Sequence, residues 1–396
     1  MPLPTPFHPR TSKLCQAMRW KEWAGYYAVC SFGSYHEREY FAFRHSAGLI
    51  DVTPLFKYDV GGPDAEAFLS RVMPRDIGRL KLGQVVYGGW CDNAGKMLDD
   101  GTVWRLDEAS YRVTSTEPNL AWFKRCAVGF DVSIEDITDQ IAAASIQGPC
   151  SREILKQVCD ADMEGLRFFR LTPAKFDGFS GTITRTGYTG DLGYEVWVAN
   201  ADAPALWDRL MSAGKAYGME PAGLDAMDMT RVEAGFLLNG VDYFRADQCL
   251  IESRKSTPYE MGLGWAVHLD RDAFNGQAAL REEKQHGPVK QFVGLEIDWD
   301  EYEALFARHG LPPEVCSSAW RSAVPVYGPG GGQVGQATSG TWSPLLKRNL
   351  ALATVQSPFA STGQTLRIEV TAEYVRHQIK ATVCKKPFFD PPRKKE

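Results

Sequence analysis

A chain of 396 residues is long enough for two or three domains with sizeable cores, and its 44 % hydrophobic share excludes a largely disordered polymer. A net charge of −5 gives no general attraction to nucleic acid or to anionic membrane. Nine scattered cysteines without a CxxC, together with seven histidines, offer no zinc pattern and read as reduced thiols of a cytoplasmic protein. The first residues, MPLPTPFHPR, lack the apolar core of a signal peptide, and no run reaches the roughly 18–20 apolar residues of a membrane span. The expectation is therefore a cytoplasmic chain without a metal, a membrane partner or a nucleic-acid partner.

In chain order, the aromatic stretch around Trp20, Trp23, Tyr26 and Tyr27 is either core filling or a pocket wall. Residues 36–47 read as a helix stopped at Gly48. Strands follow at 49–52 and 56–60, broken by Thr53-Pro54. Residues 63–72 read as a helix with proline near its start, 85–91 as a strand, and Asp92-Asn93-Ala94-Gly95 as a turn. The next strand, 97–104, carries Asp99-Asp100 in an otherwise apolar run. A strand at 111–116, a helix at 117–127, a strand at 142–147, a helix at 151–159 and extended segments at 168–176 complete this alternation, which predicts α+β layers.

The next stretch, TITRTGYTGDLGYEVWV (182–198), is the most unusual in the chain. Two apolar-aromatic runs flank Gly187, Gly190 and Gly193, spaced three apart, with Arg185, Tyr188, Asp191 and Glu195 among them. One or two glycines suffice for a hairpin, so this spacing reads either as a long structural hairpin or as a shaped loop presenting side chains. Helices are expected at 203–217 and at 224–234, the latter stopped by Gly235. A polar stretch, 282–287, reads as a linker dividing residues 1–285 from 286–396. Beyond it, short strands at 292–297, 324–327, 334–337, 350–355 and 365–370 suggest a small β-barrel or sandwich. GGGQVG (330–335) matches GxGxxG, but no helix follows it, so it is assigned to a β-turn.

Side chains alternate along a strand, so Asp99 and Asp100 are expected on opposite faces, one inward and one away. An inward carboxylate is costly unless it is paired, hydrogen-bonded or used in chemistry, and the sequence leaves those options open. Arg231 and Glu233, two apart on a helix, face different ways, and Glu233 is expected in a surface salt bridge.

TRTGYTGDLGYE resembles the signature of the aminomethyltransferase family, the glycine cleavage T-proteins and their relatives. Further similar stretches occur in the same order: AGLIDVTPLFKYDVGG (47–62), AGKMLDDGTVW (94–104), AAASIQGPCS (142–151), DAMDMTRVEAGF (225–236), YEMGLGWAVHLDR (259–271) and SGTWSPLLKRNLALATV (339–355). The resemblance implies an α+β fold, with two ferredoxin-like subdomains in residues 1–285, a C-terminal β-barrel in 286–396 and a central cavity between them. It implies tetrahydrofolate as cofactor, Asp99 as the catalytic carboxylate, and Tyr188, Glu195 and Arg231 as cofactor-binding residues; Tyr87, before Gly88-Gly89 on the preceding strand, reads either as core or as a cofactor-binding ring stacked on the pterin.

Three stretches depart from the family pattern: Thr53-Pro54, Ser115, and the ending KPFFDPPRKKE, which lacks closing tyrosines. They point to the demethylase-type relatives, which move a methyl group from a small N-, S- or O-methylated donor to N5 of tetrahydrofolate. The alternative is an authentic aminomethyltransferase acting on a lipoylated carrier protein. A non-catalytic iron–sulfur assembly factor is the third reading. RTGYTGDLGYE argues against it, having no cysteine where those relatives carry a KGCYxGQE-like motif.

Overall fold

The computed structural model describes residues 1–396. It contains two open sheets, a short hairpin and a closed barrel, and no helix is long and apolar enough to cross a membrane. The five-stranded sheet orders its strands Val85–Cys91, Met97–Asp107, Ser110–Ser115, Phe56–Gly61 and Ser133–Asp136, every pair antiparallel. The six-stranded sheet runs Leu171–Phe176, Phe179–Thr184, Gly193–Ala199, Ile141–Gln147, Gly48–Asp51 and Glu220–Pro221. Only its last pair is parallel.

The two sheets interleave in sequence. Thr53-Pro54 is the place where the chain leaves the six-stranded sheet after Gly48–Asp51 and enters the five-stranded one at Phe56. The crossing is tied down locally: the Thr53 hydroxyl accepts the Ala143 amide at 3.1 Å, and the Lys57 ammonium donates to the carbonyls of Thr53 (2.6 Å) and Leu55 (2.8 Å). Trp104 of one sheet meets Trp197 of the other edge-on, with ring centroids 4.9 Å apart. Such a contact adds about 0.5–1.5 kcal/mol beyond its buried area.

The barrel is formed by Lys290–Ile297, Arg348–Gln356, Gln333–Ser343, Val324–Tyr327, Thr365–Ala372 and Val375–Cys384. Its last strand was not anticipated, although Ile379, Ala381 and Val383 alternate inward along it. GGGQVG is a turn into the strand Gln333–Ser343, as assigned. The polar stretch 282–287, expected as a linker, is instead the end of a helix, Gln277–His286, held by buried Leu280 and stopped at Gly287 (φ +82°).

The helix Leu224–Ala234 lies where the three parts meet. It packs on the helix Glu37–His45, on the hairpin strand Tyr26–Ser31 and on barrel strands Gln333–Ser343 and Arg348–Gln356. Nearly every position is buried, including Asp228, Arg231 and Glu233, so its charges must be satisfied inside the protein. Gly235, in the left-handed region, ends it as expected. Glu233 corrects the surface reading. It is fully buried and accepts from Arg44 Nε (3.0 Å), from Tyr40 Oη (2.5 Å) and from Ser343 Oγ (2.5 Å). Periodicity could not reveal this, because the helix has no solvent face.

Candidate active site

Asp99 and Asp100 sit on the strand Met97–Asp107 and point to opposite faces, Asp99 fully buried and Asp100 half-buried. Away from the tyrosines described below, Asp99 accepts five hydrogen bonds. Its Oδ1 takes the Thr116 hydroxyl (2.7 Å), the Asp100 amide (2.9 Å) and Asn239 Nδ2 (2.8 Å). Its Oδ2 takes the Glu117 amide (2.9 Å) and Asn119 Nδ2 (2.8 Å). A carboxylate offers about four lone-pair sites, so this one has no capacity left for a reactant. Asn119 is itself fixed, its Oδ1 accepting from Trp90 Nε1 (3.2 Å) and Arg245 Nη1 (2.9 Å).

Asp100 lies in a different setting. Its Oδ2 accepts from Tyr87 Oη at 2.7 Å and its Oδ1 from Tyr243 Oη. Tyr188 is close enough to feel the charge of Asp100 and of Arg231 and to influence Tyr87. The Tyr188 hydroxyl donates to the Leu237 carbonyl, and its ring stacks on Phe236 at 5.6 Å and 27°. Gly89, paired with Asp100 across the two strands, puts no side chain on this side of the sheet. A Cβ on Gly89 would come within 2.9 Å of Met97 Cε and 3.2 Å of the Asp99 carbonyl.

The electrostatics separate the two acids. Burial raises the pKa of both. Hydrogen bonds from Thr116, Asn239, Glu117 and the Asp100 amide oppose this at Asp99 and favour its anion. Asp100 suffers burial first and then the charge of Asp99, with only the two tyrosines in opposition, and is pushed up to about 7. The two acids interact and titrate as a pair, with Asp100 the more strongly raised. Burial, followed by the charge of Asp100, raises Tyr87 and Tyr243 well above the usual phenol range, so both remain donors.

Arg231 is fully buried. Its Nε donates to Asp228 (2.6 Å) and its Nη1 to Asp242 (2.8 Å). Burial lowers its pKa, and Asp242 and Asp228 more than compensate, so the guanidinium is firmly charged. Its Nη2 has no partner, leaving one buried donor free beside Tyr188. Glu195, half-buried on the strand Gly193–Ala199, accepts from Thr186 (2.6 Å) and Thr184 (3.4 Å) through Oε2 alone. Burial raises its pKa against those two hydroxyls. No hydrogen bond joins Glu195 to Arg231. The structure thus gathers Tyr87, Asp100, Tyr188 and Arg231, places Asp99 behind the strand, and holds Glu195 on the neighbouring sheet across the glycine loop.

Sequence reasoning missed Tyr243, Asn239 and Asp242. All three lie in the loop LLNGVDYF after Gly235, where only Asn239-Gly240 gave a signal, that of a turn. A surface hollow of about 350 Å³ beside Glu37, Phe41 and Glu220 touches none of these groups.

Residues 9–271 match the GCVT N-terminal domain, and residues 290–390 match the glycine cleavage T-protein C-terminal barrel domain. The aminomethyltransferase of Bacillus subtilis (strain 168) is 35 % identical over 359 residues, covering 89 % of this chain and 90 % of the relative. That of Caldanaerobacter subterraneus is 32 % identical over 356 residues, covering 89 % and 87 %. The crystal structure of glycine cleavage system aminomethyltransferase T from Bartonella henselae superposes with a TM-score of 0.83 at 25 % identity, covering 98 % of this chain and 99 % of that one. The chain belongs to the aminomethyltransferase family of glycine cleavage T-proteins.

Proposed function

We propose that this protein transfers an aminomethyl group from a lipoylated carrier protein to tetrahydrofolate, with Asp100, rather than Asp99, handling the proton. The observation that carries the assignment is the contrast on one strand: Asp99 is saturated by five donors, while Asp100 is held by two tyrosine hydroxyls and titrates near neutrality. A base near its working pH transfers protons most efficiently.

The residues present suit a folate. Tyr188 stacked on Phe236 offers an aromatic wall for a flat ring. Glu195 Oε1 is an acceptor without a protein donor, suited to the N–H groups of a pterin. Arg231 Nη2 is a free buried donor. Folate supplies the nucleophilic nitrogens that accept the one-carbon unit. Asp100 takes the proton from N5, and its anion offsets positive charge arising there. Tyr87 and Tyr243 hold that carboxylate in place.

The carrier reading replaces the methylated-donor reading favoured from sequence. Two of the three departures behind that reading have local structural explanations. Thr53-Pro54 makes the crossing between sheets, and Ser115 donates to the Glu117 carbonyl (2.8 Å) beside Asn119, which reaches Asp99. The relatives matched over nine-tenths of the chain bear the name aminomethyltransferase. Incubation with tetrahydrofolate and an aminomethyl-loaded lipoyl carrier should yield methylenetetrahydrofolate and ammonia. Methyltetrahydrofolate formed from small methylated donors, with the carrier inert, would instead establish the demethylase branch.

A further inference from the structure

Lys386 follows the last barrel strand, Val375–Cys384, and turns inward. Its stem passes three glycines. A Cβ on Gly235 would meet Lys386 carbons at 3.1–3.4 Å, and one on Gly294 would meet Cγ at 3.2 Å. Nζ ends near Gly262, where a Cβ would lie 3.8 Å away, and 3.8 Å from the centroid of the buried Phe292 ring. The amine forms no hydrogen bond and no ion pair with the protein. The acid whose charge it feels, Asp242, is already engaged by Arg231 Nη1 (2.8 Å), the Leu238 amide (2.9 Å) and the Thr338 and Ser339 hydroxyls.

An ammonium carries three donors, and an aromatic face satisfies none of them as an acceptor would. Burial accordingly pulls the amine down to about 7 against the pull of Asp242. Asp242 adjoins Tyr243, whose hydroxyl holds Asp100, so the lysine lies on the barrel side of the same seam. We infer that Lys386 is the receptor for a carboxylate on a small reactant of this site. One lysine beside an aspartate suits a single negative charge rather than a phosphate dianion. The inference rests on the folate reading above and not on the carrier reading, and two reactants could bring the carboxylate: the glutamyl end of folate or, in place of the carrier, a small amino-acid donor.

Lys386→Met keeps the unbranched stem in its glycine channel and removes the charge. Calorimetry would compare wild type and variant with tetrahydrofolate, with tetrahydropteroate, which lacks the glutamyl carboxylates, with N-methylglycine and with methylamine. The expected result is a loss of about tenfold in affinity for one carboxylate-bearing probe, with its carboxylate-free counterpart unchanged. A loss confined to tetrahydrofolate assigns the carboxylate to the glutamyl group, and a loss confined to N-methylglycine assigns it to a donor. In wild-type protein, independently of any variant, the same probe should raise the titration midpoint of the Lys386 amine followed by lysine-selective NMR. Equal binding of both carboxylate-bearing probes to wild type and variant, or a midpoint that no probe moves, overturns the inference. Failure of wild type to bind tetrahydrofolate at all would overturn the folate reading itself, a distinct result.

Discussion

The two faces of the strand Met97–Asp107 treat adjacent aspartates in opposite ways. Asp99 faces a lattice of two asparagine amides, one threonine hydroxyl and two backbone amides, all donors and all fixed. Asp100 faces two phenols that remain protonated, and it keeps a proton at a pH where most carboxylates have lost theirs. Burial is common to both, so burial alone does not make a catalytic acid or base. The number and rigidity of the donors decide whether the charge is neutralised in place or left available.

The largest effect expected from breaking this comparison is at Asp100. Asn is nearly isosteric and can still accept one phenol hydrogen bond, so Asp100→Asn should fold. It should lose about 10²–10⁴-fold in turnover, the usual worth of a positioned acid or base. The loss should appear in kcat more than in KM. Near-normal turnover in single-turnover kinetics would remove Asp100 from the chemistry.

Asp99→Asn should act chiefly on stability. The new amide presents two donors to a site built of five, leaving buried donors facing each other or unpaired. That costs about 1–3 kcal/mol for each group left without an acceptor. Denaturant unfolding should show a lowered midpoint with an unchanged slope, while the folded fraction keeps more activity than Asp100→Asn. A fully stable but inactive Asp99→Asn would reverse the two roles.

The sequence made much of this architecture legible, and the failures have physical causes. The helix stopped at Gly235, the turn at GGGQVG and most barrel strands follow from local chemistry that acts within a few residues. Position 282–287 was misread because a charged helix with a single buried anchor, Leu280, resembles a linker in composition. Glu233 was misplaced because its partners Arg44, Tyr40 and Ser343 come from distant parts of the chain. The same holds at the site. Alternation put Asp99 and Asp100 on opposite faces, but only tertiary structure shows Asn239 arriving behind one and Tyr243 in front of the other.

The two environments should also differ in their pH dependence. Acting as a base, Asp100 must be ionised, so kcat/KM should rise with pH through an apparent pKa about 7, and this limb should vanish in Asp100→Asn. For stability the sign follows from a folded pKa raised above the ordinary 3.8. The contribution of Asp100 is fully present below that ordinary value and is lost as pH rises through about 7. Unfolding free energies measured across this window should therefore fall more steeply in wild type than in Asp100→Asn.

The smallest expected effect refines the comparison without destroying it. Tyr243→Phe removes one of the two hydroxyls that Asp100 accepts from and leaves the ring in its buried place. Hydrogen bonds to the charged form lower an acid's pKa, and the Tyr243 hydroxyl works in that direction here. Its loss should move the kcat/KM limb to higher pH while the plateau rate falls only modestly, because Tyr87 still holds the other oxygen at 2.7 Å. A purely structural tyrosine would lower stability and leave the limb where it was. Tyr87→Phe supplies the control, since it should shift the limb in the same direction from the opposite oxygen. If both variants kept the wild-type profile, the phenols would be bystanders, and the contrast between the two aspartates would have to rest on burial and on Asp99's charge alone.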